Sequence, residues 1–457
     1  MLPGRFGCIP RGAPFPNDSQ RETASYRWYD APGSTLRRFH TSRDPVPISA
    51  QSTQPTAASV TPAVSPNGGA YKWYVLALAA LTHTLVMGMP NMALPVLFDE
   101  IAADLHLDLV QIGIVWGAAS MTGIVVSLMG GILGDRFGAR RTLIAACMIA
   151  GVTGALRGFA SSFVTLALAV FIAGTVLPII PTNVHKTCAI WFSGRRLGTA
   201  NGVVSAGMAL GFMLGAMLSA TVFSPLLGGW RQVMFLYSAL AIVVGFVWIF
   251  TREGPDGGSS RSAGVSLHEG LTHVVRLRDV WFLGVGLLGV GGCVQGMLGY
   301  LPLYLRGIGW PAPAADATLS LFHGASLLVA IPFAMLSDRS GYRRRLLMIA
   351  SLMIAVGVGS LAFVTGPAVW GSVMLAGVVR DGFMAVLLTT VVEVRGVGAR
   401  LAGTATGFLM ALSYASRTVS PPMGNGMASL SPGAPFLFWA GLALVGFLGF
   451  WLIRDIP

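Results

Sequence analysis

The residues best suited to bind a charged solute lie inside apolar stretches of the chain. Arg380 and Asp381 are neighbours in one such stretch, Arg417 lies in the middle of the next, and His83 lies between two threonines in the first. A charged side chain in a low-dielectric environment is costly and marks a candidate functional site. Because the two arginines outnumber the single acid at this depth, we expect a site for a small organic anion such as a carboxylate.

These four residues have more than one interpretation. Adjacent residues on a helix do not face each other, so Arg380 and Asp381 each need another partner. We expect Arg417 to pair with Asp381, which leaves Arg380 for the anion; a buried ion pair that only braces two helices is the alternative. Asp381 is also the candidate for carrying a coupled proton. His83 has a role in binding the solute or carrying a proton, or it simply forms a hydrogen bond with a neighbour.

Three further polar residues in apolar stretches are weaker candidates. Gln295 is expected to hydrogen-bond the solute, and Tyr300 is either a solute contact or an aromatic side chain at the membrane interface. Arg157, near the end of its stretch, is expected to extend toward the membrane surface. The sequence has no phosphate-binding loop ending in Lys-Ser/Thr, no metal-ligand spacing of His or Cys and no clustered catalytic set. We therefore expect no enzyme activity, metal or cofactor.

The composition indicates that membrane helices position these residues. Of 457 residues, 54% are hydrophobic and 11% are charged, whereas a soluble domain carries about 25% charged residues. This excludes a soluble enzyme or a nucleic-acid-binding protein despite the net charge of +12. The 59 glycines suit close helix packing in lipid. A set spaced by four residues illustrates this: Gly207, Gly211 and Gly215.

Twelve apolar runs of about 20 residues follow one another from Trp73 onward, and each is long enough to cross a hydrocarbon layer of ~30 Å. The predicted spans are 73–96, 109–131, 142–160, 163–190, 198–223, 231–251, 280–305, 315–336, 345–365, 367–392, 402–428 and 433–454. The predicted fold class is therefore all-α. It is a polytopic membrane protein with twelve transmembrane helices in two pseudo-symmetric six-helix bundles.

The regions outside the spans complete the predicted organisation. The first 70 residues are rich in Pro, Ser, Thr and Arg, which is typical of a disordered tail or a mis-assigned start. The predicted divisions are a tail at 1–70, an N-terminal bundle at 71–252, a cytoplasmic connecting loop at 253–278 and a C-terminal bundle at 279–457. The arginine-rich loops and both termini are expected in the cytoplasm. The expected location is a bacterial inner membrane or a plasma membrane, with multiple passes.

A short motif occurs twice, after the second and after the eighth span. The first copy is LGDRFGARRTL, beginning at Leu133, and the second is LSDRSGYRRRL, beginning at Leu336. Leu, Asp, Arg, Gly, Arg, Arg and Leu recur in register. A repeat of six-helix halves in the same orientation places the solute path between the halves, near the middle of the membrane.

The two motif copies are predicted to be gating loops, meaning loops whose aspartates hold the two halves together in one state. A cytoplasmic loop with a glycine turn explains the arginines but not the matched aspartates. Two helices meet within a few residues at each motif, so the glycine is expected to adopt a positive φ. The predicted gating residues are Asp135, Arg136, Gly138, Arg140, Asp338, Arg339 and Gly341.

The first copy, within GGILGDRFGARRTL, resembles the signature loop of the major facilitator superfamily, and MLSDRSGYRRRLL resembles its weaker second copy. GWR at the start of the sixth span and GVGARLAGTATGF before the eleventh are similar to segments of the same family. The resemblance covers about residues 71–457 and implies two bundles that rock about a central site. It also implies that Asp135 lies near the start of the eleventh span and Asp338 near the start of the fifth.

Two departures from the family's drug–proton exporters bear on the substrate. Those exporters usually carry an arginine four residues before a glycine in the fourth span and a Gly-Pro pair in the fifth. Here Val170 precedes Gly174 by four residues, and Phe212 occupies the proline position. The segment HKTCAIWFSGRRLGTANG, from His185, is similar to segments of members that move small organic or inorganic anions.

The predicted function is secondary active transport of a small organic anion by alternating access, with proton symport. Efflux of hydrophobic or drug-like compounds is the alternative within transport. A non-transporting membrane receptor or scaffold on the same fold is the alternative of another class. The expected partners are the small-molecule solute, a coupling proton and the lipid bilayer. No nucleic-acid partner is expected, and the protein is expected to function as a monomer.

Overall fold

The computed structural model describes residues 68–176, 178–193, 195–252 and 267–453, and the regular elements in these ranges are helical. The predicted tail and most of the connecting loop lie outside the described residues. Long helices coincide with all twelve predicted spans. They are α1 (Ala70–Leu105), α2 (Leu109–Phe137), α3 (Ala139–Gly158), α4 (Phe163–Trp191), α5 (Arg196–Leu227), α6 (Trp230–Ile249), α7 (Arg278–Gly307), α8 (Ala312–Ser340), α9 (Arg343–Ser360), α10 (Ala368–Glu393), α11 (Gly398–Gly426) and α12 (Ala434–Leu452).

By length and apolar composition, ten of the described helices can cross a membrane. The other two long helices are α9, which begins with three arginines, and α11, which contains Arg417. Both contribute to the buried core, since Ile354 of α9 is 0% exposed and Leu409 of α11 is 1% exposed. The all-α, polytopic membrane fold predicted from the sequence is confirmed.

Short loops join most successive helices, so neighbours in sequence run antiparallel and the loops fall on two faces. We call the face with the α1–α2 and α7–α8 loops the α1–α2 face. The opposite face, with the α2–α3 and α8–α9 loops, is the α2–α3 face. A short helix, Leu267–Val275, lies in the connection that the sequence predicts as a loop. Its Val274 side chain is fully buried, and His273 Nε2 lies 3.0 Å from the carbonyl oxygen of Gly396.

The repeated motif forms the α2–α3 and α8–α9 turns. Gly138 has φ +85° and Gly341 has φ +68°, which confirms the predicted positive φ at both glycines. α3 begins directly after Gly138, whereas Tyr342 separates Gly341 from the start of α9. The two turns therefore correspond up to the glycine, but the helix that follows begins one residue later in the second copy.

One arginine after each glycine binds the last helix of its own half. Arg140 Nη2 donates a hydrogen bond to the carbonyl oxygen of Ile249 at 2.6 Å, at the end of α6. Its counterpart is Arg344, whose Nε donates to the carbonyl oxygen of Phe450 at 3.2 Å, near the end of α12. Carbonyls in a last helical turn lack intrahelical donors. These arginines therefore stabilise helix ends within each half.

α1 and α5 cross at close range through glycines. α1 contains a π-helical stretch, Thr82–Gly88, and Thr84 Oγ1 donates a hydrogen bond to the carbonyl oxygen of Gly207 at 2.7 Å. A Cβ atom at Gly211 would lie 2.6 Å from the carbonyl oxygen of Thr84 and 2.9 Å from Cα of Gly88. The close packing predicted from the glycine spacing is confirmed at this crossing.

We expect Gly211→Ala to destabilise the purified protein by about 1–3 kcal/mol, the usual cost of overpacking. The added methyl group would meet backbone atoms of α1, which cannot rotate away. Gly202→Ala in α5 is the matched control, since a Cβ there has nothing within 4 Å. Thermal unfolding followed by tryptophan fluorescence measures both variants. Equal melting temperatures would contradict the close crossing.

Candidate functional site

A cavity of about 160 Å³ lies between the α1–α6 half and the α7–α12 half. A water molecule needs only about 10–15 Å³ of such space, so a small solute fits. The N-terminal half contributes Met87, Asn91, Met92, Trp116, Ala119, Ser120, Pro181, Met208 and Phe212. The C-terminal half contributes Val294, Gln295, Leu298, His323, Arg380, Tyr414 and Arg417.

The two halves differ in the chemistry that they present to this central cavity. The lining from the N-terminal half is apolar, aromatic or neutral, whereas Arg380 and Arg417 both come from the C-terminal half. The described lining contains no acidic residue. The cavity is therefore suited to an anionic group on one side and to the body of a small molecule on the other.

A break in α10 sets the geometry of Arg380. One helical segment ends at Gly377 and the next begins at Arg380. Arg380 forms an ion pair with Asp381, and the backbone N–H of Asp381 donates to Ser326 Oγ of α8 at 2.9 Å. The predicted pairing of Asp381 with Arg417 is wrong. As the first residue of a half-helix, Arg380 is free to turn its long side chain back onto the adjacent carboxylate.

Arg417 is the central cation without an acidic partner in the described part of the chain. Its Nε is buried without a hydrogen bond, and its guanidinium lies 5.9 Å from the ring centroid of Tyr414. Arg380, in contrast, has Asp381 and also lies 5.6 Å from the ring centroid of Phe212, across the boundary between the halves. Such cation–π contacts supplement but do not replace a counter-charge.

The weaker sequence candidates separate into two groups. Gln295 lines the central cavity, and its backbone oxygen accepts a hydrogen bond from Trp116 Nε1 at 2.7 Å. Tyr300 lies outside this cavity, where its hydroxyl donates to the carbonyl oxygen of Pro432 at 3.1 Å. Its ring centroid is 5.8 Å from that of Trp439, so it packs within the C-terminal half.

His83 also lies outside the central cavity. Its ring is 1% exposed, and Nδ1 is 3.1 Å from the carbonyl oxygen of Val204 in α5. The ring centroid of His185 in α4 lies 5.7 Å away. His83 therefore occupies the interior of the N-terminal half, as in the alternative that it hydrogen-bonds a neighbour.

One further cavity residue can be recognised in the sequence as a weak candidate, and several others cannot. His323 is 0% exposed and neither ring nitrogen has a hydrogen-bond partner in the described chain; its ring centroid lies 4.8 Å from that of Phe212. As an ionisable residue within a span, His323 is recognisable as a candidate. Trp116, Phe212 and Tyr414 are not, because aromatic residues in a span are equally typical of helix packing.

The predicted gating contacts stay a prediction. The side chains of Asp135 and Asp338 lie outside the described part of the structure, although both backbones are helical. Arg136 and Arg339 are exposed in the last turns of α2 and α8. The hydrogen bonds from Trp116 to Gln295 and from Arg306 to Val96 instead join the halves at the level of the central cavity and nearer the α1–α2 face.

A buried ion pair joins the two halves on the side of the α1–α2 face. Arg306 Nη2 lies 2.7 and 2.9 Å from the two carboxylate oxygens of Asp316, and the two side chains are 11% and 1% exposed. Both residues belong to the C-terminal half. Arg306 also donates to the carbonyl oxygen of Val96 at 2.9 Å, and Thr221 donates to Asp316 at 3.4 Å. The pair therefore joins the C-terminal half to α1 and α5.

Two further contacts join the halves. Asn425 Nδ2 of α11 donates to the carbonyl oxygen of Leu109 in α2 at 2.8 Å. Ser320 Oγ of α8 donates to the carbonyl oxygen of Met213 in α5 at 3.0 Å. Backbone carbonyls of the N-terminal half are the acceptors in both, so the halves are held together here by neutral hydrogen bonds.

Comparison with known proteins identifies the family of the chain. The Major Facilitator Superfamily profile matches residues 76–421. A probable galactarate/D-glucarate transporter of Escherichia coli (strain K12) is 28% identical over 171 residues, 35% of this chain and 36% of that protein. A probable nitrate/nitrite antiporter of Thermus thermophilus is 29% identical over 282 residues, 59% of this chain and 62% of that protein. The chain thus spans less than two thirds of either relative.

A solved structure has the same fold. A bacterial homologue of the human lysosomal transporter Spinster, in an inward-facing and occupied conformation, superposes with a TM-score of 0.67 at 16% identity. The alignment covers 83% of this chain and 94% of that one. At this identity the likeness establishes the fold and carries no substrate.

We expect Asp316→Ala to lower the apparent stability by about 3–5 kcal/mol, because it leaves Arg306 buried without its counter-charge. The double variant Arg306→Met with Asp316→Leu should recover much of the loss, since it removes both charges. Asp99→Ala, at an exposed acid of α1, is the matched control. Thermal unfolding of the purified proteins measures the three effects. A melting temperature of Asp316→Ala equal to that of the control would refute the role of the pair.

Proposed function

Since the chain belongs to the major facilitator superfamily and is an integral multi-pass membrane protein, we propose that it transports a small organic anion, such as a carboxylate, by alternating access. The observation that carries this proposal is the central cavity, which has two arginines and no acid in its described lining. The names of the two relatives, for galactarate/D-glucarate and for nitrate/nitrite, support an anionic solute.

Different residues of the central cavity are suited to bind different parts of the solute. Arg417 is the primary anion contact because no described acid neutralises it and its Nε has no hydrogen-bond partner. A guanidinium offers a planar fork of N–H donors that matches the two oxygens of a carboxylate. Gln295 and Asn91 are amides at the cavity surface and suit polar groups of the solute. The methionine and aromatic side chains of the N-terminal half contact its apolar part.

Asp381 is the proposed proton carrier. Its carboxylate holds Arg380 in the ion pair, so a proton on Asp381 would neutralise the acid and release Arg380 toward the anion. Arg380 lines the central cavity, as do the other ionisable groups His323 of α8 and Tyr414 and Arg417 of α11. This coupling makes anion binding and proton binding mutually favourable, as symport requires.

The distribution of charged loops supports the sidedness. The α2–α3 face carries Arg136, Arg140 and Arg339, whereas α1 ends with the acids Asp99 and Asp104 at the α1–α2 face. Arginine enrichment favours the cytoplasmic side, so we place both termini in the cytoplasm and the protein in a bacterial inner membrane or a plasma membrane. The α1–α2 face is then the outer face. Asp135 and Asp338 remain the proposed contacts of the outward-open state.

We expect Arg417→Gln to weaken binding of the transported anion about ten- to hundredfold, the usual value of a hydrogen bond to a charged group. Arg278→Gln is the matched control, because Arg278 is exposed at the start of α7. Uptake of labelled carboxylates by proteoliposomes gives the KM and rate for each variant. Unchanged transport in both Arg380→Ala and Arg417→Ala would overturn the anion assignment.

We expect Asp381→Asn to abolish uphill uptake driven by a proton gradient while solute exchange across the membrane continues. The amide cannot carry the coupled proton, but it leaves Arg380 able to bind the anion. Asp279→Asn, in the first turn of α7, controls for the loss of an acid elsewhere. Accumulation with and without an imposed pH gradient is the measurement. Retained uphill uptake in Asp381→Asn would exclude Asp381 as the carrier.

A further inference from the structure

A second cavity, of about 50 Å³, lies inside the N-terminal half. Its lining comes from α1, α2, α3, α4 and α6. It adjoins the central cavity, since both are lined by Met87, Asn91, Trp116 and Ala119. The inner end of this second cavity is therefore only one layer of side chains from the proposed solute site.

Arg157 of α3 lines the second cavity, and the prediction that it extends to the membrane surface is wrong. Gly154, one turn earlier, leaves space for the guanidinium: a Cβ there would lie 3.4 Å from Arg157 Nη2 and 2.7 Å from Ser238 Oγ of α6. The arginine thus lies along α3 between its own helix and α6. Its Nε is buried without a hydrogen-bond partner.

Nothing in the described chain neutralises this guanidinium. It makes no hydrogen bond or ion pair with the described residues, and the lining of the second cavity contains no acid. The hydroxyls of Thr153 and Ser238 each donate to a carbonyl of their own helix at 2.7 Å, and neither carries a charge that could neutralise the guanidinium. A buried cation without a counter-charge is strongly unfavourable, so the site is suited to an anion.

The arrangement of the two cavities indicates what that anion is. The described N-terminal half contributes no cation to the central cavity, yet its Arg157 lines the adjoining second cavity. Asn91 lines both cavities, and its side chain makes no hydrogen bond with the described residues. An amide at this position can bind one oxygen of a carboxylate while a guanidinium binds the other.

We propose that Arg157 and Asn91 form a second anion site, which binds the far carboxylate of a dicarboxylate whose near carboxylate is bound by Arg417. This inference rests on the proposed function of the central cavity. Such a solute contacts a cation in each half, so its binding favours a state in which the halves are close together. A solute with one carboxylate satisfies Arg417 alone.

The test compares glutarate with pentanoate, which share a five-carbon chain and differ by one carboxylate. Isothermal titration of the purified full chain should show glutarate binding about tenfold or more tightly than pentanoate, since one more charged hydrogen bond forms. Arg157→Gln should reduce glutarate affinity to that of pentanoate and leave pentanoate unchanged. Arg157→Lys keeps the charge but lacks the forked guanidinium, so its affinity for glutarate should lie between those of the wild type and Arg157→Gln. Arg278→Gln should bind glutarate as the wild type does.

Folding is checked on the ligand-free proteins. Because Arg157 has no counter-charge, Arg157→Gln should not lower the melting temperature without ligand, whereas a purely structural arginine would. Wild-type protein that does not prefer glutarate, or Arg157→Gln that keeps the preference, overturns the inference.

The variant Arg417→Gln separates the two proposals. Weaker binding of both acids in Arg417→Gln supports the central site, and unchanged binding of both contradicts the proposed function. If Arg417→Gln leaves binding unchanged but Arg157→Gln still weakens glutarate binding, the Arg157 site is supported and the Arg417 site is not. Two pentanoate molecules bound per wild-type chain, and one per Arg157→Gln chain, would overturn the single bridging ligand in favour of a free monoanion at Arg157.

Discussion

The cost of placing a charge in a low-dielectric interior governs how this chain uses its few ionisable side chains. Arg306 and Arg380 each meet an acid within the described chain, and the arginines of the repeated motif reach carbonyls at helix ends. Arg417 and Arg157 meet neither. Both of these line cavities, where a solute can supply the missing charge. The two cations without a partner in the described chain therefore lie where a bound anion can neutralise them.

The fold was predictable because its main determinants are local. Hydrocarbon thickness sets the length of an apolar run, and a tight turn between helices requires a residue that tolerates positive φ, as at Gly138 and Gly341. The sequence did not reveal that α1 continues to Leu105, since polar residues there end the apolar run without ending the helix. Nor did it reveal the one-residue shift at Tyr342, which depends on how α9 packs after the turn.

Residues of the site could be predicted only where a charged side chain lies in an otherwise apolar run. Arg380 and Arg417 stand out because a guanidinium in an apolar run is unusual, and both line the central cavity. The rotation of each helix about its axis decides which face meets the cavity, and one sequence does not specify it. The π-helical stretch Thr82–Gly88 rotates α1 further, and Met87 rather than His83 faces the cavity. The Arg380–Asp381 pair depends in the same way on a helix break.

The distribution of ion pairs between the halves has a consequence for movement. The ion pairs Arg306–Asp316 and Arg380–Asp381 each join two residues of the C-terminal half. Separating the halves at the α1–α2 face therefore breaks the hydrogen bonds from Arg306 to Val96 and from Thr221 to Asp316 but leaves the two charges paired. A hydrogen bond to a charged group contributes about 1.5–3 kcal/mol net, whereas breaking a buried ion pair costs about 3–5 kcal/mol. An arrangement in which charges move with their partners keeps the two states close in free energy, which a solute binding energy can then shift.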